Sequence, residues 1–184
     1  MPADRSPFLD GALAWLYTEG VPDRCERCGY DWSTDAMTAL QTIATSPGRY
    51  AALLDGRDGS VPAADGGWNA TAYLWHLTDL ARGWSERWAQ LSVAPGSLLV
   101  GWDLDALGDA RNYRLLSTAS ALWALPAATE VFVALSEQLD ASTPFLHGDW
   151  GPGTVDDATR WLAHEYVHHE LDVDERATRR KEQR

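Results

Sequence analysis

The most informative segment of this 184-residue chain runs from Thr154 to Leu171 and has the sequence TVDDATRWLAHEYVHHEL. Thr154 followed three residues later by Asp157 is the pattern of a helix start in which the two residues cap each other's backbone. Trp161 and Val167 then give the segment an apolar side. We therefore predict a long helix that begins at Thr154 and continues into the basic C-terminal end, where cations suit the helix dipole.

Three further helices are predicted from apolar residues that recur at three- and four-residue spacing. The first occupies residues 33–54 and is interrupted or ends near Pro47. The second follows Asn69, a favourable N-cap residue, and runs to about residue 91. The third covers residues 120–139, with a kink or restart at Pro126. Because no segment alternates apolar and polar residues as a half-buried strand does, we predict an all-α four-helix bundle.

The chain is predicted to form one domain with short ends. Residues 1–32 are expected to be an N-terminal extension with a Cys-x-x-Cys turn, residues 33–176 the bundle, and residues 177–184 a basic tail. Between the second and third helices, residues 103–116 are expected to form a short helix or an irregular excursion. A chain of this length can bury a core without a disulfide or a metal, so a metal site would point to function.

Composition argues against several classes of function. The 27 acidic and 15 basic residues give a net charge of −12, whereas a nucleic-acid binder needs a basic face that displaces phosphate counterions. The apolar runs are far shorter than the roughly 18 residues that cross a membrane, and the N-terminus lacks the uninterrupted apolar stretch of a secretory signal. Two cysteines fit a reducing compartment. We predict a cytoplasmic protein that binds neither nucleic acid nor membrane.

Three of the five histidines lie in the hexapeptide HEYVHH at residues 164–169. On a helix, His164 and His168 share one face, while His169 is turned about 140° from His164. In a bundle this pair can meet His76, which lies on the apolar face of the second helix. Three imidazoles leave coordination positions open, as catalytic metal sites do. Nitrogen ligands suit zinc, nickel, iron, manganese or cobalt.

Two other motifs suggest different chemistry. The pattern HE-x-x-H at residues 164–168 matches the helix of zinc proteases, but few residues follow it, which leaves little room for a subdomain with the third ligand. Cys25 and Cys28 form half of a zinc ribbon, and no second cysteine pair completes it. A structural turn is favoured for the two cysteines, with metal binding or a disulfide as open alternatives.

The motifs resemble those of the DinB-like superfamily of four-helix proteins, which includes mycothiol-dependent maleylpyruvate isomerases and bacillithiol or mycothiol S-transferases. The resemblance covers most of the chain. It rests on W-x4-Y-x2-HL-x-D at Trp68–Asp79 and on HE-x2-HH-x2-DV at His164–Val173. The segment Cys25–Asp31, with the pattern C-x2-CG-aromatic-D, is similar to that of a subgroup frequent in actinobacteria.

The resemblance implies a divalent metal, zinc foremost, held by His76, His164 and His168. Some relatives use the second histidine of an adjacent pair, but here His168 is favoured over His169 because it lies four residues from His164. Three carboxylates are candidates for orienting the ligand imidazoles by hydrogen bonding. These carboxylates belong to Asp79, Glu165 and Asp172.

The resemblance also implies the reaction class. The metal would lower the pKa of a thiol or an enolising oxygen, in S-transfer from a mycothiol-type co-substrate or in thiol-dependent isomerisation of a small molecule. Arg111 and Tyr113, in the excursion between helices, are expected to contact the substrate. The alternatives are a non-catalytic metal-binding bundle with a partner-binding or structural role, and a zinc hydrolase of the HE-x-x-H type. A homodimer formed through helix faces is a further expectation.

Overall fold

The computed structural model describes residues 23–179. Residues 1–22 of the predicted extension and residues 180–184 of the predicted tail lie outside this part of the chain. The described residues form helices and short strands in the order α1 (Ala36–Leu53), β1 (Arg57–Asp58), α2 (Ala70–Val93), β2 (Leu98–Leu99), α3 (Leu104–Ala110), α4 (Thr118–Ser136), β3 (Pro144–His147), β4 (Gly151–Thr154), α5 (Val155–Arg176) and β5 (Thr178–Arg179).

Four helices, α1, α2, α4 and α5, form a bundle in which each has two helical neighbours. Helix α2 packs against α4 and α5, and α1 packs against the same two helices. Each helix contributes fully buried apolar residues to the core between them, such as Ile43, Leu74, Phe132 and Leu162. The predicted all-α four-helix bundle is confirmed.

Three of the bundle helices begin at a side chain that caps the first turn, and two of these caps, Asn69 and Thr154, are the residues that the sequence indicated. The side chains of Asp35, Asn69 and Thr154 each accept a hydrogen bond from the backbone N–H three residues later. At Thr154 the bond is reciprocal, because Asp157 accepts a hydrogen bond from the Thr154 backbone at 2.9 Å. These caps satisfy donors that have no partner inside the helix.

Helix α1 runs through Pro47 to its end at Leu53, so the predicted interruption is wrong. A proline removes only one backbone donor, and neighbouring contacts hold the helix on both sides of it. The Ser46 hydroxyl donates to the Thr42 carbonyl at 2.7 Å, and Tyr50, one turn after the proline, is fully buried. Helix α4 likewise continues through Pro126.

The strands are short and lie at the ends of the bundle. Strand β3 pairs in parallel with β2 and antiparallel with β4, while β1 pairs antiparallel with β5. Segments of two to four residues are too short to show alternation, which is why the sequence did not indicate them. The segment Gly151–Gly153 belongs to β4. The predicted excursion at 103–116 contains α3 and a 3-10 turn at Tyr113–Leu115.

Among the described residues, helix α4 is long and apolar enough by length and composition to cross a membrane. It carries Glu130, and its residues Ala121, Leu125 and Phe132 are fully buried in the bundle. The core helix of a soluble protein passes the same test, so this one helix is only a weak indication.

The N-cap of α5 gives a first testable prediction. Replacing Thr154 with alanine should lower the free energy of unfolding by about 1 kcal/mol, because the backbone N–H of Asp157 loses its acceptor. Denaturant unfolding measures this loss. Thr154→Ser keeps the hydroxyl and should stay close to the wild type. Equal losses in both variants would show that the methyl group, rather than the cap, is responsible.

Candidate metal centres

The HEYVHH segment presents ligand side chains on two sides of α5. Successive helix residues are rotated by about 100°, so residues 164 and 168 face one way and residues 165 and 169 another. One pair meets the turn before α1, and the other meets α2. We call the resulting clusters the thiol–imidazole group (Cys25, Cys28, His164 and His168) and the carboxylate–imidazole group (His76, Glu165 and His169).

The carboxylate–imidazole group brings two ring nitrogens to one carboxylate oxygen. Glu165 Oε2 lies 3.3 Å from His169 Nε2 and 3.7 Å from His76 Nε2. One ligand atom from each of the three residues can be chosen so that all lie within 4.8 Å of one another. Ligands bonded to zinc at 2.0–2.2 Å are roughly 3.4 Å apart in a tetrahedral site, so these distances suit a shared divalent ion.

Asp172 fixes the ring of His169. Its Oδ2 lies 2.7 Å from His169 Nδ1, which leaves Nε2 facing Glu165. The other carboxylate oxygen of Asp172 forms an ion pair with Arg27 at 2.7 Å. A carboxylate that holds one nitrogen of a histidine while the other faces an ion is a common arrangement in metalloproteins, because it fixes the tautomer and the ring orientation.

The neighbours of Glu165, His169 and His76 shift the pKa values of these three side chains. Burial alone would raise the pKa of Glu165, but its interactions with His164 and His169 hold it well below its ordinary value. Burial alone would lower the pKa of His169, but Asp172 and Glu165 raise it to about 9. Burial lowers the pKa of His76, so this imidazole is kept neutral. A negative oxygen and a neutral imidazole are the forms that bind a cation, so Glu165 and His76 are in the binding form, whereas His169 must release a proton when the ion binds.

An aromatic wall covers one side of the carboxylate–imidazole group. The ring of Trp68 lies 5.1 Å from that of His76, and the ring of Tyr73 lies 5.0 Å from that of His169. The side chains of Glu165 and His169 keep 12% and 15% of their surface exposed with respect to the described residues. With respect to the described residues, the group is therefore flanked by aromatic rings and keeps a small accessible surface.

The residues of this group fit a divalent metal. His76 Nδ1 is buried and forms no hydrogen bond with any residue in the described range 23–179. Its Nε2 is 3.7 Å from Glu165 Oε2, too far for a hydrogen bond. A hydrogen bond therefore does not account for the orientation of His76 Nε2 toward Glu165. An ion bound between the two side chains would account for it. Within the described residues the donor set is two imidazoles and one carboxylate.

The thiol–imidazole group lies on the other side of α5. Its four ligand atoms lie within 4.8 Å of one another, and Cys25 Sγ is 3.5 Å from His168 Nδ1. Both cysteines are free thiols in this structure, so neither forms the disulfide that the sequence left open. The Cys-x-x-Cys segment is a turn, as favoured from the sequence, but it is a turn packed against two histidines.

Electrostatics within the thiol–imidazole group brings the pKa of the Cys25 thiol close to neutral pH. Burial alone would raise the pKa of Cys25, but hydrogen bonds from the backbone of Cys28 and from the His164 side chain lower it to about 7. Burial alone would lower the pKa of His164, but Cys28 and Glu165 raise it to about 10. Burial and the charge of His164 lower the pKa of His168 to about 4.

The structure divides the triad expected from the sequence. His76 meets His169, the histidine that was disfavoured, and not His164 and His168. The physical reason is the direction of α2: it faces the side of α5 that carries residues 165 and 169, while the cysteine turn takes the side that carries the i, i+4 histidine pair. Glu165, expected to orient an imidazole, is instead a candidate ligand.

The other expected site residues are placed as follows. Asp172 orients an imidazole, as proposed for it, although the imidazole is that of His169. Asp79 holds no histidine; it accepts hydrogen bonds from Tyr113 and, at 2.7 Å, from Arg111. Tyr113 reaches the carboxylate–imidazole group only through Trp68, whose ring it contacts. Arg111 and Tyr113 therefore hold α2 at Asp79, three residues after His76.

Sequence reasoning disfavoured His169 as a ligand and gave no role to Arg27. The signal for His169 was present, because its spacing of four from Glu165 equals that of His168 from His164. Arg27 carried no such signal. It lies in the cysteine turn, and its guanidinium contacts both Asp172, at 2.7 Å, and His168, at 3.1 Å.

The chain matches no protein-family model and no curated protein sequence. Its fold is similar to that of YfiT from Bacillus subtilis, described as a probable metal-dependent hydrolase with an unusual four-helix bundle topology. The two structures give a TM-score of 0.64 at 19% sequence identity, over 77% of this chain and 86% of YfiT. At that identity the likeness concerns the fold. It supports the four-helix bundle that the motif resemblance implied.

Proposed function

We propose that this protein is a metal-dependent enzyme of the DinB-like type whose carboxylate–imidazole group holds the catalytic ion and acts on a small molecule. The observation that carries the proposal is the convergence of His76, Glu165 and His169, with Asp172 fixing one ligand ring. Three protein ligands leave coordination positions for a reactant, which is typical of catalytic rather than structural sites.

A divalent ion bound there would supply Lewis-acid chemistry, lowering the pKa of a thiol, a water molecule or an enol oxygen. The protein's own residues prepare the site. Asp172 holds His169 in one orientation, and the negative charge of Glu165 attracts the cation. Trp68 and Tyr73 lie against the ligand rings and would offer flat apolar surface to a bound molecule.

The reaction we propose is S-transfer from a mycothiol-type thiol, or thiol-dependent isomerisation, as the motif resemblance implies. In S-transfer the thiol sulfur forms a bond to an electrophilic carbon, the leaving group departs with its electron pair, and the thiol proton goes to solvent. A second candidate is hydrolysis, which the description of YfiT as a probable metal-dependent hydrolase favours. We also propose a cytoplasmic location, in keeping with two reduced thiols.

The test compares the metal-loaded wild type with His76→Ala. We expect the wild type to consume mycothiol in the presence of monochlorobimane more than about 100-fold faster than the variant, since even residues that only orient a ligand contribute 10–100-fold. Cleavage of p-nitrophenyl acetate under the same conditions tests hydrolysis. Equal rates in both proteins for both reactions would leave a metal-binding bundle without catalysis and overturn the proposal.

Asp172 provides a graded test of the same centre. Replacing Asp172 with asparagine should weaken metal binding by the carboxylate–imidazole group about 10–100-fold, because His169 loses the charge that fixes its ring. Titration against a competing chelator measures the change. Glu175→Gln is a suitable control, since Glu175 also pairs with Arg27 but does not contact the group. If the two variants weaken metal binding equally, the cause is the loss of an ion pair with Arg27 and not the release of the His169 ring.

A further inference from the structure

The thiol–imidazole group has the composition of a closed zinc site. Its ligands occur with the spacings C-x2-C and H-x3-H that Cys2His2 zinc sites use, although most of the chain separates the two halves. We propose that Cys25, Cys28, His164 and His168 bind a zinc ion, separate from the ion of the carboxylate–imidazole group, that fastens the N-terminal turn to α5.

The distances fit tetrahedral coordination. Zinc bonds of about 2.3 Å to sulfur and 2.0–2.1 Å to nitrogen place a sulfur and a nitrogen ligand roughly 3.6 Å apart. Cys25 Sγ and His168 Nδ1 are 3.5 Å apart, and all four ligand atoms lie within 4.8 Å of one another. Four protein ligands fill the tetrahedron, so this ion would have no position for substrate. Its role is therefore structural.

The turn is shaped to aim both sulfurs at α5. The backbone N–H of Cys25 donates to the Tyr30 carbonyl at 2.8 Å, and the N–H of Gly29 donates to the Cys25 carbonyl at 2.8 Å. Gly29 has a φ of 72°, a conformation that favours glycine and closes the loop. The ring of Trp32 then lies 4.5 Å from that of His164 and covers the site.

A disulfide explains this arrangement less well. It needs only the two cysteines, whereas the structure brings two imidazoles from another helix to the same point. Two thiolates and two imidazoles form a donor set that selects zinc over magnesium or calcium, which prefer oxygen ligands. Binding would release to solvent the protons that the two thiols and His164 still carry.

Metal content tests the proposal. Wild-type protein loaded with zinc and then desalted should hold two ions per chain. The double variant Cys25→Ser/Cys28→Ser should hold one, and the matched variant His76→Ala/His169→Ala should also hold one. If the cysteine variant retains the wild-type content, the proposal is wrong. If instead only the His76→Ala/His169→Ala variant retains the wild-type zinc content, the proposed catalytic centre does not bind an ion. The two proposals can therefore fail independently.

Two measurements on the wild type keep the test valid if the cysteine variant does not fold. Cobalt(II) titrated into metal-free protein should produce a sulfur-to-cobalt charge-transfer band and the visible bands of tetrahedral cobalt. Iodoacetamide should modify Cys25 and Cys28 at least about 10-fold more slowly in zinc-loaded than in metal-free protein, because a bound thiolate is a poor nucleophile. Absence of the charge-transfer band, or equal alkylation rates, would overturn the site.

Discussion

His169→Ala is expected to release the ion of the carboxylate–imidazole group and to lower kcat/KM for the thiol reaction by more than about 100-fold. His169 Nε2 is 3.3 Å from Glu165 Oε2, and its other nitrogen is held by Asp172. Residues that only orient a metal ligand contribute 10–100-fold, so loss of the ligand itself should cost more. Metal content and steady-state kinetics with mycothiol and an electrophile measure the two effects.

His168→Ala is the matched control, because it changes the same residue type at the neighbouring position of the same helix. We expect this variant to lose the proposed zinc ion of the thiol–imidazole group but to retain the ion of the carboxylate–imidazole group, since His168 faces Cys25 on the other side of α5. Total metal content falls in both variants, so kcat/KM is the measurement that distinguishes them. The grouping in the structure and the triad suggested by the sequence therefore predict opposite results for these two variants. Loss of that ion in His168→Ala, with retention in His169→Ala, would restore the triad of His76, His164 and His168 that the sequence suggested.

The fold was largely accessible from the sequence because its signals are local. The caps at Asp35, Asn69 and Thr154 fix helix starts through bonds to residues only three positions away. The prediction at Pro47 was wrong because it took account only of the local cost of a proline in a helix. The burial of Tyr50, which outweighs that cost, depends on tertiary packing. The short strands depend on partners distant in sequence and left no pattern to detect.

The site was harder to predict because it depends on which face of α5 each residue occupies and on which element packs against that face. The sequence shows which residues are four apart, and two such pairs overlap in HEYVHH, at 164 with 168 and at 165 with 169. Which pair faces His76 depends on the direction from which α2 approaches α5. The Cys-x-x-Cys turn could be interpreted only after the fold placed its missing partners, two histidines more than 130 residues away, beside it.

The bundle also depends on a cluster of aromatic rings, and Trp84 at its centre gives the largest expected effect on stability. Trp84 is 1% exposed, and its ring lies 5.0 Å from that of Trp88 and 5.3 Å from that of Trp150. Replacing Trp84 with alanine should lower the free energy of unfolding by about 3–5 kcal/mol, because a large cavity opens between packed rings. That is a large part of the 5–15 kcal/mol that typically stabilises a domain.

Trp84→Phe separates the cavity from the loss of polar contacts. The indole N–H of Trp84 is buried and donates to no group in the described part of the chain, so phenylalanine keeps most of the packing and removes no hydrogen bond. Trp88 differs, because its Nε1 donates to the Ser136 hydroxyl at 2.8 Å. Trp88→Phe should therefore cost about 1 kcal/mol more than Trp84→Phe in denaturant unfolding. A loss below about 1 kcal/mol in Trp84→Ala would contradict the packing of this cluster, since truncation of a buried tryptophan ordinarily costs several times more.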